Sequence, residues 1–335
     1  MPLPAGPVVG TCGFGYPEWR GRFYPPELGP GEWLGFYAQV FEAVELDGTF
    51  YRPPEPAQVA VWAEALPDRF AVAAKVPRAI THEVRLEGEA AAAMLRGFAR
   101  ALQPLGDRLL AVVLQLPPSL DAGEGRERLA RLLGGRPDGL PVVVEVRHPS
   151  WDRPWLAELL AAAGAGLVLA ERPAPWEPSG RGTPSGSAGP PRPDPSGRPT
   201  GAPPWGSPDP SRPTGAPPWG SPDPSGGAPW PGQARAAPGQ APYLRLLGDR
   251  RATPVIGRPV RDRSADLDRW AALLAGPGPG GAMQATARRP AAAFANNRFE
   301  GAAFDTAAAL RRRLGQRSLE PRDLWPAPPL PGLEP

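Results

Sequence analysis

Short apolar runs that close on polar residues recur along this chain, separated by amphipathic stretches. Pro141–Trp151, PVVVEVRHPSW, is the clearest of them. Val142–Val144 and Val146 read as a strand buried on both faces, bounded by Pro141 and Pro149. Glu145, Arg147 and His148 crowd its C-terminal end. Burying such groups unpartnered costs about several kcal/mol per ion, so this end is expected to open onto a polar site. The same form predicts strands at Val8–Cys12, Ala43–Leu46, Phe70–Val76, Leu109–Leu116, Leu167–Ala170, Tyr243–Leu247 and Ala291–Ala295. Helical periodicity predicts helices over Trp33–Phe41, Gln58–Leu66, Glu89–Leu105, Arg126–Leu133, Trp155–Ala163, Ala265–Leu274 and Phe304–Leu314. In the third of these, Met94, Leu95, Phe98 and Leu102 read as the apolar stripe. Strands alternating with helices imply a parallel sheet. Eight such strands predict an α/β chain folded as a (β/α)8 TIM barrel, with its site at the C-terminal strand ends. An open doubly wound sheet is the alternative, but TCGFGYPEW lacks the glycine spacing of a dinucleotide fingerprint.

Proline modifies this plan. The 335 residues include 52 prolines, many of them between Pro173 and Ala241. The 14-residue segment RPTGAPPWGSPDPS occurs twice in tandem there, at Arg198–Ser211 and Arg212–Ser225. Such a composition buries too little apolar surface to offset its ordering entropy. The segment is therefore expected to be a long disordered, partly polyproline-II insertion after strand 6. Repeat slippage in GC-rich DNA accounts for it most simply. A partner-binding tether anchored by Trp176, Trp205, Trp219 and Trp230 is the sharper alternative. The expected organisation is a first barrel part over 1–172, the insertion over 173–241, the rest of the barrel over 242–316, and a Pro-rich tail over 317–335.

The formal net charge of +3 permits an anionic ligand but is no nucleic-acid signature by itself. One cysteine, Cys12, excludes an internal disulfide and a cysteine-based zinc cluster. MPLPAGPVVG lacks the features of a signal peptide, and no apolar run approaches the roughly 18 residues of a membrane span. A soluble protein of the reducing cytoplasm is expected. All but one of the 37 basic residues are arginine, the exception being Lys75. Asn296 and Asn297 are the only asparagines, and His82 and His148 the only histidines. Under a bias that replaces Lys by Arg and avoids Asn, survivors are expected where their chemistry is hard to replace. Arginine does not serve as a neutral amine.

GTCGFGYPEW, VELDGTFYR, AAKVPRAITH, VEVRHPSW, YLRLLGDR and NNRFEGAAFDTA resemble the signature blocks of the YecE-like proteins, the domain-of-unknown-function 72 family. The resemblance spans nearly the whole chain outside the insertion, in the same order. It implies a TIM barrel and no particular reaction. Cys12 stands where the family usually has serine, and Asp47 where it often has asparagine. Leu247 replaces the histidine of the family's RLHG block, so a mechanism built on that histidine does not carry over to this chain.

Glu145 and Glu45 end the fifth and second strands, on opposite sides of a barrel mouth. Two carboxylates so placed could do acid/base work, as in glycoside hydrolysis; alternatively each is the partner of Arg147 or Arg78. Lys75 could bind a phosphate or carboxylate, or act as a neutral amine nucleophile if desolvated; a buried ion pair with a glutamate is the bland alternative. His148 joins the catalytic candidates and His82 the ligand-binding ones, though a histidine in a turn often makes only a structural hydrogen bond. Two histidines with no pair at i, i+4 give no support to a histidine-rich metal cluster, and no metal or other cofactor is implied. Arg147, Arg245, Asn296 and Asn297 are candidate ligand-orienting groups, with turn capping and ion pairing as their structural alternatives. Cys12 is expected to pack as a small residue. Trp19, Phe23, Tyr24, Phe50 and Tyr51 could stack on a sugar or base, or fill the core.

The leading expectation is an enzyme acting on a small anionic or sugar-like substrate, its reaction open among hydrolysis, elimination and isomerisation. A nucleic-acid-binding or processing protein is the second. A non-catalytic scaffold working through the insertion is the third.

Overall fold

Eight parallel strands close on themselves in sequence order. The computed structural model describes residues 3–170, 241–247, 262–276, 289–297 and 302–325. The strands are β1 (Val8–Cys12), β2 (Ala43–Leu46), β3 (Ala71–Lys75), β4 (Leu109–Gln115), β5 (Val142–Glu145), β6 (Gly166–Ala170), β7 (Tyr243–Leu246) and β8 (Ala292–Asn296), and β8 pairs with β1 to complete a TIM barrel. The helices are α1 (Trp33–Val40), α2 (Pro56–Ala65), α3 (Gly88–Ala101), α4 (Ala122–Gly134), α5 (Pro154–Ala162), α6 (Ser264–Ala275) and α7 (Ala303–Arg313). The Pro/Gly-rich segment between β6 and β7, with its tandem repeat and four tryptophans, lies outside the described residues, as do residues 326–335.

Alternation along each strand divides the apolar residues into two bodies. Val9, Val44, Leu46, Val72, Ala74, Val112, Leu114, Val142, Val144, Leu244 and Leu246 belong to the layer between sheet and helices. Val8, Cys12, Ala43, Ala71, Ala73, Ala111, Val113, Val168, Tyr243, Ala292 and Phe294 fill the barrel itself. Alanine dominates the inner face of β2 and β3. The rings of Tyr243 and Phe294, with centroids 5.3 Å apart, occupy the space that the small residues leave. At Gly10 a Cβ would stand 1.9 Å from the Ala43 carbonyl oxygen, so β1 and β2 meet there only because the residue is glycine. The Tyr37 hydroxyl ties the same junction, accepting from Thr11 N and donating to Ala43 O, each at 2.9 Å.

Three expectations change in detail. β5 stops at Glu145, short of Val146, and Pro149, which lacks an N–H, opens a 3₁₀ turn, Pro149–Trp151. The long third helix breaks after Ala101, and a 3₁₀ turn over Gln103–Arg108 takes Pro104 in its first positions. The buried stripe of α3 is Ala91, Leu95, Phe98 and Leu102, whereas Met94 is 42% exposed. Met94 lies one residue, about 100° of helical turn, off that i, i+4, i+7 line. Each large side chain on the stripe contributes roughly 1.5–3 kcal/mol. Within the expected tail, Trp325 packs back on the core and donates to Phe23 O at 3.3 Å. Among the described residues, no helix is long and apolar enough to cross a membrane.

Candidate functional site

The parity that points Ala43, Ala73 and Tyr243 into the barrel also points Glu45, Lys75 and Arg245 inward, two residues nearer the C-terminal end. The last inward positions of the other strands include Cys12 on β1, Gln115 on β4, Glu145 on β5 and Asn296 on β8. Register sets Cys12 beside Glu45 and Asn296, and Gln115 beside Glu145. The polar ends expected from the sequence therefore converge on one place, the mouth of the barrel.

Arg245 organises it. Its side chain is 2% exposed and reaches across the interior. Nη1 lies 2.6 Å from Glu145 Oε2 and 3.1 Å from Gln115 Oε1. Nη2 lies 2.8 Å from Glu45 Oε1, 3.3 Å from Asp47 Oδ1 and 3.7 Å from Cys12 Sγ. The approach to Glu45 Oε1 lacks hydrogen-bond alignment and is an ion pair only. Arg147 extends the network, with Nε donating to Glu145 Oε1 at 2.7 Å and Nη2 to Gln115 Oε1 at 2.8 Å. The Tyr243 hydroxyl donates to Glu45 Oε2 at 2.7 Å. Burial pushes the Glu45 carboxyl above its usual range, and Arg245 opposes that rise. Burial likewise raises the Cys12 thiol and the Tyr243 phenol, which stays protonated as a donor. Glu45, Glu145 and the surrounding carboxylates hold the guanidinium cationic. Fully ionised, Arg245, Arg147 and Lys75 balance Glu45, Glu145 and Asp47.

This geometry revises the two-carboxylate idea. The Arg245 guanidinium stands between Glu45 and Glu145, so the pair does not flank a shared water as an acid/base couple does. Glu145 does pair with Arg147, whereas Glu45 pairs with Arg245 and not Arg78, which bonds Glu83 at 2.7 Å. The partner of Lys75 is an aspartate, Asp47, at 3.9 Å.

Above this floor the mouth is more open. The Lys75 Nζ lies 4.2 Å from the centroid of the Phe50 ring, and its side chain is 12% exposed. Burial, Arg245 and Arg147 push its amine below the ordinary lysine range against the pull of Asp47 and Glu145. Thr49 Oγ1, within hydrogen-bond reach of Lys75 O and Leu46 O at 2.7 Å each, anchors the loop after β2 to β3. Phe50 also meets the His82 ring edge-on at 5.1 Å, and Tyr51 beside it is 69% exposed. Trp19, Phe23 and Tyr24 are core residues.

His82 sits in a π-helical turn, Ala79–Glu83, of a kind that often marks functional positions. Arg85 and Leu86 follow with φ of 51° and 63°, a left-handed pair that costs energy for non-glycine residues. Two Arg85–Glu124 hydrogen bonds of 2.7 and 2.6 Å and the burial of Leu86 hold it. His82 is pushed down to about 4 by burial and by Arg78, Arg147, Lys75 and Arg85. It is thus neutral at pH 7. Between its ordinary value of 6.5 and about 4 the unfolded chain takes up a proton that folded His82 refuses, so stability falls as pH falls through that window. His82→Gln is expected to flatten this part of the curve in urea melts at stepped pH; an unchanged acid slope would contradict the assignment.

Two candidates lie elsewhere. His148 caps the Pro149–Trp151 turn, with Nδ1 2.8 Å from Ser150 Oγ and accepting from Ser150 N. Asn297 is 2% exposed, and its Oδ1 accepts from Trp19 Nε1 at 3.1 Å and from Ala303 N at 3.2 Å, which makes it a joint between β8, α7 and the first loop. Asp47, Gln115 and Tyr243 belong to the cluster but were not among the sequence candidates. Inward parity with Glu45, Glu145 and Arg245 was the signal for Gln115 and Tyr243. Cys12, Glu45 and Asp47 bring ligand atoms within 4.8 Å of one another, but Arg245 Nη2 already approaches all three, so the cation at their centre is a guanidinium. Two cavities, of about 460 and 360 Å³, lie at the opposite barrel end, beside Leu109 and Pro141 and beside Glu42 and Phe70.

The molecule is thus a (β/α)8 barrel whose C-terminal mouth holds a buried, charge-compensated network. The chain belongs to the family described as Protein of unknown function DUF72, whose model matches residues 8–331. UPF0759 protein YunF of Bacillus subtilis (strain 168) is 26% identical over 150 residues, which is 44% of this chain and 52% of that protein, so the match spans about half the relative's length. The crystal structure of a DUF72 family protein from Thermotoga maritima MSB8 superposes with a TM-score of 0.62 at 22% identity, covering 93% of this chain and 100% of that one. One from Enterococcus faecalis V583 gives 0.61 at 17% identity, covering 93% and 96%. These likenesses establish the barrel.

Proposed function

We propose that this chain is an enzyme acting on a small anionic or sugar-like substrate at the barrel mouth, with Lys75 and Arg147 meeting the substrate's negative charge. The observation that carries this reading is the placement of two cations at the rim of the buried network, Lys75 only loosely held, 3.9 Å from Asp47. Lys75 and Arg147, with side chains 12% and 18% exposed, are the network cations that reach solvent. Glu45, Glu145 and Arg245 then form the rigid floor that fixes them. Asp47, 26% exposed and 3.9 Å from Lys75 Nζ, is the carboxylate best placed to carry a proton. Neutral His82 and Asn296 are the groups that orient the ligand, and Tyr51 offers a ring to a sugar face. A nucleic-acid strand is the second reading, favoured by that exposed ring beside several cations.

Calorimetric titration with sugar phosphates, sugar acids and short single-stranded DNA tests this. A sugar phosphate or sugar acid is expected to bind, and Lys75→Met or Arg147→Met to weaken it by roughly 30-fold or more, since losing one partner of a desolvated charge pair costs about 2 kcal/mol upward. His148→Ala, at the turn cap, is expected to leave affinity within about twofold. Failure of every small anion to bind, or binding indifferent to both substitutions, would overturn the reading. Binding of DNA alone, with a steep salt slope, would replace it by the second.

A further inference from the structure

Lys75 differs from the other mouth cations in how it is held. Arg245 and Arg147 bond carboxylate oxygens at 2.6–2.7 Å, whereas Lys75 Nζ stands 3.9 Å from its aspartate and rests over an aromatic ring. Its backbone is fixed, with Thr49 Oγ1 at 2.7 Å from its carbonyl oxygen, and Ala71 and Ala73 precede it on the same inward face. It is also the chain's only lysine, against a background in which every other basic residue is arginine. A site that needed only a positive charge could use arginine. A site that needs a primary amine could not.

We propose that Lys75 is an imine-forming amine, and that the substrate of this mouth carries an aldehyde or ketone beside its negative charge. The proposal rests on the mouth being an anion site and adds the chemistry of the bond. The Nζ lone pair attacks the carbonyl carbon, a C–N bond forms, and the carbonyl oxygen takes a proton to give the carbinolamine. That oxygen then leaves as water while C=N forms, and the two protons of the amine depart with it. Asp47 is placed to accept the nitrogen's proton and return it to the departing hydroxyl. No oxidant or reductant enters. Arg147 holds the substrate's anionic group. Burial pushes the amine below the ordinary lysine range, which raises its free-base fraction relative to an exposed lysine.

The test is reductive trapping on the full chain. Glyoxylate and glyceraldehyde 3-phosphate are supplied separately with cyanoborohydride near pH 7, and the modified residue is mapped by peptide mass spectrometry. Because the chain has one lysine, ε-amine modification has one address, and the α-amine serves as an internal reference of ordinary reactivity. The expected result is a secondary amine at Lys75, formed roughly tenfold faster than at the α-amine and absent in Lys75→Arg. Modification of the α-amine alone, with anion binding still seen by calorimetry, would overturn the imine and leave the anion site standing. Loss of both trapping and anion binding would remove both.

Discussion

Arg245→Met is expected to lower the melting temperature by on the order of 10 °C at neutral pH. The substitution keeps the bulk of the side chain and removes its charge. It strands Glu45 and Glu145, which are 0% and 1% exposed at the side chain, with Asp47 beside them. Breaking a buried ion pair by removing one partner costs about 3–5 kcal/mol, and in a domain of this size each kcal/mol moves the melting temperature by roughly 2–4 °C. The pH dependence identifies the cause. Burial already raises the Glu45 carboxyl above 4.5, and Arg245 is the chief influence holding it down. Without Arg245 the folded value climbs further while the unfolded value stays. A carboxyl raised in the folded state favours folding below its unfolded value and loses that contribution as pH rises towards the folded one. The deficit of Arg245→Met is therefore expected to narrow as the pH is lowered from 7 towards 4.5. Adding Glu45→Gln and Glu145→Gln is expected to restore part of the lost stability at pH 7, because the stranded charges are then gone. Calorimetric melts of the single and triple variants check this. A loss under about 3 °C, or a deficit that widens on acidification, would show that Arg245 is not what neutralises the mouth.

The residues that close the strands were legible in the sequence because apolar runs buried on both faces have no other reason to end in charges. Glu45, Lys75, Glu145, Arg147 and Arg245 emerged that way, and the structure places all five in one network. Of their pairing, only Glu145 with Arg147 was legible. Arg78, the alternative partner for Glu45, lies beyond β3 and turns to Glu83. The true partner sits 200 positions away on β7, because barrel closure brings β2 and β7 onto a common interior that no local pattern encodes. Met94 failed for a narrower reason. An alanine-rich helix offers several overlapping stripes, and its packing selects the one through Ala91. His148 and Asn297 share a third cause: a polar residue just past a strand serves equally as a ligand group or as a cap, and only the position of its neighbours decides.

Asn297 shows that decision most sharply. Asn297→Ala is expected to cost about 2–6 kcal/mol, since it leaves two buried donors unmet at about 1–3 kcal/mol each. One is Nε1 of Trp19, a side chain with no exposed surface at the centre of the cluster formed with Phe23, Tyr24 and Phe304. The other is the N–H of Ala303, the first residue of α7, whose N-cap Ala302 has no side-chain oxygen to offer. Asn297 thus acts as a cap supplied from the end of β8, and it closes the barrel by pinning its last helix to its first loop. A fall in melting temperature of roughly 5–15 °C follows from the same scale, and Asn297→Asp, which keeps an acceptor oxygen, is expected to recover much of it. A ligand-orienting role would invert the pattern, with melting near wild type and anion affinity lost. Melting curves and calorimetric titrations on both variants separate the two roles, because the acceptor oxygen that stabilises α7 is turned towards Trp19 and the helix.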